Sequence, residues 1–223
     1  KQFLLEGKPR QNRCSSTPGA GKEIMVDQPH AEMQRYAQEQ VDLGAQYYEQ
    51  GLLDQACEAW EKVPESVPDQ YAIAHVNIGI VYDGQGQHEQ AIKAWQKVPE
   101  SETQPYAVAQ YNIGSVHEAL EQDESALAAY SKVPKIDVLH YSMAQFNSAV
   151  LLHLHGNLTT ALSTYQKIPA NVPDQYARAQ LNLGVLYQQM GHNDQAFEAW
   201  KRVSPDFPEL YEVAQSYLND EDS

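Results

Sequence analysis

Four asparagines, Asn77, Asn112, Asn147 and Asn182, stand thirty-five positions apart, with Asp42 at the same place one interval earlier. A primary amide offers a donor and an acceptor together, which matches the hydrogen-bonding pattern of an extended peptide unit. A column of such amides could hold a peptide backbone without reading its sequence, although each bond contributes only about 0.5–1.5 kcal/mol net and several would have to act together. A second reading of the same residues stays open, in which the amides bond to neighbouring helices or to water. Other chemistry is thinly represented. The stretch Ser16-Thr17-Pro18-Gly19-Ala20-Gly21-Lys22-Glu23 is similar to a phosphate loop but has serine at the first glycine and glutamate at the final Ser/Thr position. His153 and His155 are two apart and so point to different sides of a helix, which makes a poor metal pair. No catalytic residue, metal site or cofactor is predicted.

The elements that would carry these residues follow from the interval itself. Tyr36, Tyr71, Tyr106, Tyr141, Tyr176 and Tyr211 share the same spacing, as do Ala56, Ala91, Ala126, Ala161 and Ala196. Trp60, Trp95, Tyr130, Tyr165 and Trp200 form a further series, and Pro64, Pro99, Pro134 and Pro169 another. Repeats of this length make a solenoid in which each unit buries its apolar face against its neighbours, giving a long inner surface. Within one repeat, Ala74, Ile78, Val81 and Tyr82 recur at helical steps from Tyr71 to Tyr82, and Asp83-Gly84-Gln85-Gly86 breaks the pattern. A second helix is predicted from about His88, burying Ala91, Ile92, Trp95 and Val98, with Pro99 as its stop. Gly44, Gly79, Gly114 and Gly184 sit mid-helix, where glycine costs about 1 kcal/mol against alanine. Accepting that cost repeatedly points to a close approach by the second helix, answered by the small Ala56 series, with the aromatic series filling the space between repeats.

Charge narrows the partners. The chain carries −15 overall, yet residues 1–22 hold Lys1, Lys8, Arg10, Arg13 and Lys22 against Glu6, a net of +4 that leaves −19 on the rest. A body this acidic repels phosphate, so no nucleic acid and no anionic membrane is expected as a partner. No apolar run approaches the roughly 20 residues needed to span a bilayer. Cys57 occupies a position that is Ile92, Leu127, Leu162 and Phe197 in the other repeats, so it reads as a buried apolar residue, while Cys14 lies in a polar segment. Unpaired cysteines favour a reducing, cytoplasmic location. The chain begins at Lys1, which fits a fragment or a processed form and leaves an earlier export signal open.

The repeat resembles the tetratricopeptide repeat, whose signature runs W-x2-L-G-x2-Y, then A-x3-F, then P. Gln40-Leu43-Gly44-Tyr47 and Gln180-Leu183-Gly184-Tyr187 match the first half at all but the first position, and His75-Ile78-Gly79-Tyr82 comes close. Gln110-Ile113-Gly114-His117 is weaker and Gln145-Ser148-Ala149-Leu152 is degenerate, whereas the A-x3-aromatic half is present in all five repeats. The unit is one residue longer than is usual in that family. Pentatricopeptide repeats share this length and bind RNA, but the spacing from Asn77 to Ala91 is one residue too short for them and the charge opposes RNA.

The resemblance implies an all-α solenoid of helix-turn-helix repeats winding into a right-handed superhelix. The expected organisation is a flexible basic tail over residues 1–33, five helix pairs and a capping helix over 34–218, and an acidic tail over 219–223. It also implies that Asn77, Asn112, Asn147 and Asn182 face a concave groove, like the asparagine ladder of some members. Ile73, Val108, Met143 and Arg178 are expected one turn away, with Val76, Tyr111, Phe146 and Leu181 beside them and Asp83 and Glu118 at an acidic edge. The implied function is a non-enzymatic interaction scaffold that takes a protein or peptide segment with apolar anchors and basic flanks. A different class stays open, a dedicated chaperone or immunity-type protein that caps one partner through a broader surface. Members that grip the carboxylate of chaperone tails use basic residues where this chain has Ile73, Val76, Val108, Tyr111 and Met143, so apart from Arg178 that clamp is absent. For the N-terminal tail two states stay open: seated in the groove of its own chain or a neighbour's, which would give self-association, or disordered and touching nothing.

Overall fold

The computed structural model describes residues 28–219, which form eleven α-helices and, among these residues, no strand. In order they are α1 (Gln28–Glu49), α2 (Leu53–Trp60), α3 (Pro68–Gly84), α4 (His88–Trp95), α5 (Thr103–Ala119) and α6 (Asp123–Tyr130). There follow α7 (Val138–Leu154), α8 (Leu158–Tyr165), α9 (Pro173–Gln189), α10 (Asn193–Trp200) and α11 (Pro208–Asn219). This is the expected alternation of a long first helix and a short second helix, closed by one further helix. Helix α1 begins at Gln28, inside the stretch 1–33 assigned to the tail. The basic segment 1–22, the phosphate-loop-like stretch, Cys14 and residues 220–223 lie outside the described residues.

The turn between the helices of a pair is set by a further residue series, of which Gly86 is the member in the Asp83-Gly84-Gln85-Gly86 break. Gly51, Gly86, Gly156 and Gly191 adopt φ of 75°, 73°, 74° and 76°, and Glu121 takes the same place with φ 57°. Only glycine enters that region without steric cost. At the first of these turns Gly51 N–H donates to Tyr48 O and Leu52 N–H to Tyr47 O, both at 2.9 Å, a Schellman closure that satisfies the last carbonyls of α1. The second helices end earlier than expected. Helix α4 stops at Trp95, and the chain tightens through Lys97 N–H to Ala94 O and Val98 N–H to Trp95 O before it reaches Pro99. Val98 stays buried through this tighter turn. Proline acts instead at helix starts, with Pro68 and Pro173 in the first turns of α3 and α9. Helix α7 starts differently, on an Asp137 carboxylate that accepts the His140 N–H at 3.0 Å.

The described helices fall in two compact units that divide between Ala109 and Gln110, within α5. In the first, α1 packs on α2 and α3, and α3 packs on α4, around Val41, Trp60, Val67, Ile78 and Val81. Cys57 belongs to this core, and burial, with Glu61 and Asp54 adding to it, pushes its thiol up to about 11. In the second, α7, α8 and α9 share a core of Ala149, Tyr165, Ile168, Leu183 and Leu186. Helix α11 closes that unit by placing Ala214 against Val203 and Trp200, with the Tyr217 ring stacked 4.7 Å from Trp200.

The mid-helix glycines are explained by the aromatic series and not by the alanines. A Cβ on Gly44, Gly79, Gly114 or Gly184 would run into the ring of Trp60, Trp95, Tyr130 or Trp200 respectively. The three indoles lie between the helices of their own repeat, each donating its N–H to a first-helix carbonyl: Trp60 to Val41 at 3.1 Å, Trp95 to Val76 at 3.1 Å and Trp200 to Leu181 at 3.2 Å. The aromatic series thus packs within its own repeat and also against the next, as Trp60 does with Ile78 and Val81 and Trp200 with Tyr217, and its two tyrosines bond onward to the next repeat.

Candidate functional site

The thirty-five-residue spacing brings Asn147 of α7 and Asn182 of α9 to equivalent places, and both use the amide in the same way. Asn147 Nδ2 donates to the Tyr130 hydroxyl at 3.0 Å, and Asn182 Nδ2 donates to the Tyr165 hydroxyl at 3.0 Å. Each asparagine thus ties its first helix to the second helix of the preceding repeat. Tyr130 in turn donates to Glu118 Oε2 at 2.6 Å. Burial, reinforced by the Glu118 carboxylate, holds the Tyr130 phenol far above its ordinary range, and burial pushes Tyr165 up to about 12 against the partial relief from Asn182. Both phenols therefore remain protonated at neutral pH.

Where the preceding aromatic is tryptophan there is no hydroxyl for the asparagine to hold, and the side chain sinks deeper. Asn77 is 0% exposed and Asn112 is 6% exposed, whereas Asn147 and Asn182 are half-buried. Asn77 and Asn112 thus present no accessible amide. The indole N–H of Trp60 and of Trp95 instead turns back to a carbonyl of its own repeat.

The flanking residues divide likewise. Val108 is buried, as is Val76, so neither adds to an accessible strip. Ile73 in the first unit and Tyr111, Met143, Phe146 and Leu181 in the second are half-buried, and Arg178 is exposed. Tyr111 lies 5.8 Å from the Tyr130 ring and Phe146 lies 5.8 Å from the Tyr165 ring, so these side chains roof the hydroxyl network while keeping an open side. Burial raises the Tyr111 phenol, and its hydrogen bond with Asn147 offsets part of that. Arg178 Nε bonds Asp174 Oδ2 at 3.0 Å on the surface. The expected acidic edge is partly occupied, because Glu118 accepts from Tyr130 and Asp83 pairs with His88 at 3.0 Å. An Asn amide has two N–H groups and one carbonyl oxygen, so after the bond to tyrosine it retains capacity for a peptide group. What the second unit offers is then a half-buried row of apolar and aromatic side chains with amides set into it.

The histidines fall as their spacing implied. His153 Nε2 bonds Gln189 Oε1 at 2.7 Å, while His155 turns the other way, to Asp123 at 3.1 Å. Among the described residues no group of three His, Cys, Asp or Glu could hold a metal ion, and no helix is long and apolar enough to cross a membrane.

Two family models described as tetratricopeptide repeat match the chain, one over residues 76–137 and one over residues 178–209. The chain carries tetratricopeptide repeats. A model described as anaphase-promoting complex subunit 5 also matches residues 30–100. Among solved structures, a tetratricopeptide repeat protein from Parabacteroides merdae is similar at a TM-score of 0.59 and 20% identity, covering 81% of this chain and 71% of that one. A crystal structure of MamA is similar at a TM-score of 0.55 and 21% identity, covering 79% of this chain and 96% of that one. At such identities the likeness speaks for the fold alone, an all-α array of helical repeats. No curated protein matches the sequence significantly. In these repeats the signature's opening aromatic is replaced by Gln40, His75, Gln110, Gln145 and Gln180, and the last four are buried.

Proposed function

We propose that this tetratricopeptide protein is a non-enzymatic interaction scaffold, and that it takes an extended protein or peptide segment along the first-helix face of its second unit. The observation that carries the reading is the half-buried row of Tyr111, Phe146 and Leu181, recurring at the repeat interval beside Asn147 and Asn182, with half-buried Met143 next to it. Apolar side chains in a row supply the binding free energy, and the amides set between them orient a backbone. The overall charge of −15 favours a segment with basic flanks. A match to a model of a complex subunit over residues 30–100 fits a role in protein assembly. Met143 and Arg178 are the residues of this face best placed to touch a ligand without holding the core, and Asn182 is its main polar anchor.

The test is selection of peptides from a random displayed library on the full chain, followed by anisotropy titration of the enriched sequences. Enriched peptides should carry apolar anchors with Lys or Arg nearby, and Met143→Asp should weaken them by about tenfold or more while leaving the circular dichroism spectrum unchanged. Failure to enrich any peptide, or equal affinity for the parent and Met143→Asp, would overturn the assignment. Binding of a folded partner that is lost only on changes outside this face would point to capping through a broader surface.

A further inference from the structure

The second unit contains a cleft that the first-helix face does not use. It has a volume of about 470 Å³, within the roughly 300–1,000 Å³ of ligand pockets, and lies between α9, α10 and the end of α8. Leu183 and Tyr187 line it from α9, Asp194 and Glu198 line it from α10, and Arg202 lines it from the turn just after that helix. Gln166 Nε2 donates to the Tyr187 hydroxyl at 2.9 Å and so braces one wall. Gln180 also lines the cleft, is only 6% exposed, and its Oε1 has no hydrogen-bond partner.

A buried amide oxygen left without a donor is uncommon and calls for an explanation. Gln180 stands at the opening position of the repeat signature, where a large ring would fill the space that here stays open. The cleft is therefore lined by a residue whose buried acceptor is unmet. Its charged groups lie along α10 and just beyond it. Asp194, in the first turn, and Glu198, one turn later, make one end acidic, and Arg202 stands a further turn away. Glu198 meets Lys201 only through an exposed 3.4 Å pair, the kind that solvent largely screens. An N–H donor carrying positive charge would satisfy Gln180 and the two carboxylates at once.

We infer that this cleft is a second recognition site, which takes the basic side chain, lysine or arginine, of a protein partner. The site is distinct from the first-helix face, because on α9 Gln180, Leu183 and Tyr187 lie to one side and Arg178 and Asn182 to another. The preceding repeat supplies an internal comparison. Gln145 is likewise buried with an unpartnered Oε1, but Thr159 and Ser163 stand where Asp194 and Glu198 stand. Of the two buried glutamine oxygens left unmet among the described residues, that of Gln180 alone has carboxylates at these positions.

The experiment is a backbone-amide NMR titration of the full chain with N-acetyl-arginine amide, N-acetyl-lysine amide and the uncharged N-acetyl-citrulline amide. Saturable shifts confined to α9 and α10 around Gln180 and Asp194 are expected with one or both cationic probes and not with citrulline, and the stronger of the two identifies the side chain preferred. Gln180→Met keeps the length of the side chain and removes the acceptor, and should weaken the cationic probe by about tenfold or more. Asp194→Asn combined with Glu198→Gln changes only exposed groups and should abolish the preference for charge without disturbing the fold. The inference is overturned if no probe saturates, if citrulline matches the cationic probes, if residues around Gln145 respond equally, or if the surface double variant binds as the parent does.

Discussion

Replacing Gly114 with alanine sets two effects of opposite sign against each other. Alanine in a helix interior is favoured over glycine by about 1 kcal/mol, so propensity alone predicts a more stable protein. The new Cβ, however, would collide with the ring of Tyr130, which is 0% exposed. That ring cannot slide freely, because its hydroxyl donates to Glu118 at 2.6 Å and accepts from Asn147 at 3.0 Å. Overpacking of a closed site costs about 1–3 kcal/mol, and breaking either hydroxyl bond adds about 0.5–1.5 kcal/mol. The expected net is a loss of about 2 kcal/mol, which for a chain of this size lowers Tm by about 4–8 °C. Guanidinium and thermal denaturation followed by far-UV circular dichroism measure it directly. Ala149 shows the condition under which a methyl fits. It stands opposite Tyr165, which has the Asn182 bond, but the residue matching Glu118 is His153, and His153 bonds Gln189 instead. Tyr130→Phe should therefore reduce the cost of Gly114→Ala, since the freed ring can yield. A Gly114→Ala protein more stable than the parent by about 1 kcal/mol would refute the argument.

Two further outcomes follow from the same network and from the polar column beside it. Asn182→Ala and Tyr165→Phe should each destabilise, with a coupling of about 0.5–1.5 kcal/mol in a double-mutant cycle, and strictly additive effects would mean that their 3.0 Å bond contributes nothing. His75 is 6% exposed, its Nδ1 has no partner, and burial with a contribution from Lys97 lowers its pKa from an ordinary 6.5 to about 4. The unfolded chain thus binds a proton that the folded chain refuses, so this term is fully present above pH 6.5 and is lost as pH falls from about 6.5 toward 4, by about 3 kcal/mol at most. Stability profiles of the parent and of His75→Gln, the residue found there in the other repeats, should converge in shape above pH 7 and diverge below 6; parallel profiles throughout would count against the buried neutral imidazole.

The repeat interval, the helix pairs and the family were legible in the residues because each rests on local or nearest-neighbour physics. A period of thirty-five with apolar residues at helical steps admits one architecture, and mid-helix glycine signals a close approach wherever it recurs. The left-handed turn was equally legible at Gly51, Gly86, Gly156 and Gly191, a series that only Glu121 interrupts. What came close to the glycines was not legible, since rings and alanines recur with the same period and only packing distinguishes them.

The candidate site depended more heavily on tertiary structure. In sequence the asparagines form a uniform column, yet the substitution of tyrosine for tryptophan one helix earlier divides them. A phenol extends a hydroxyl across to the next repeat, where Asn147 and Asn182 are bonded to it and half-buried, whereas an indole turns its N–H inward, and Asn77 and Asn112 are buried. The glutamines at the signature's opening position read as simple mismatches. That Gln180 opens a cleft and leaves an acceptor unmet beside Asp194 emerges only when α9 and α10 are packed together. Sequence by itself determined what each helix is, because the periodicity that makes a helix amphipathic is local. Tertiary structure decided which polar groups are satisfied, because a hydrogen bond depends on the partner that another helix brings within 3 Å.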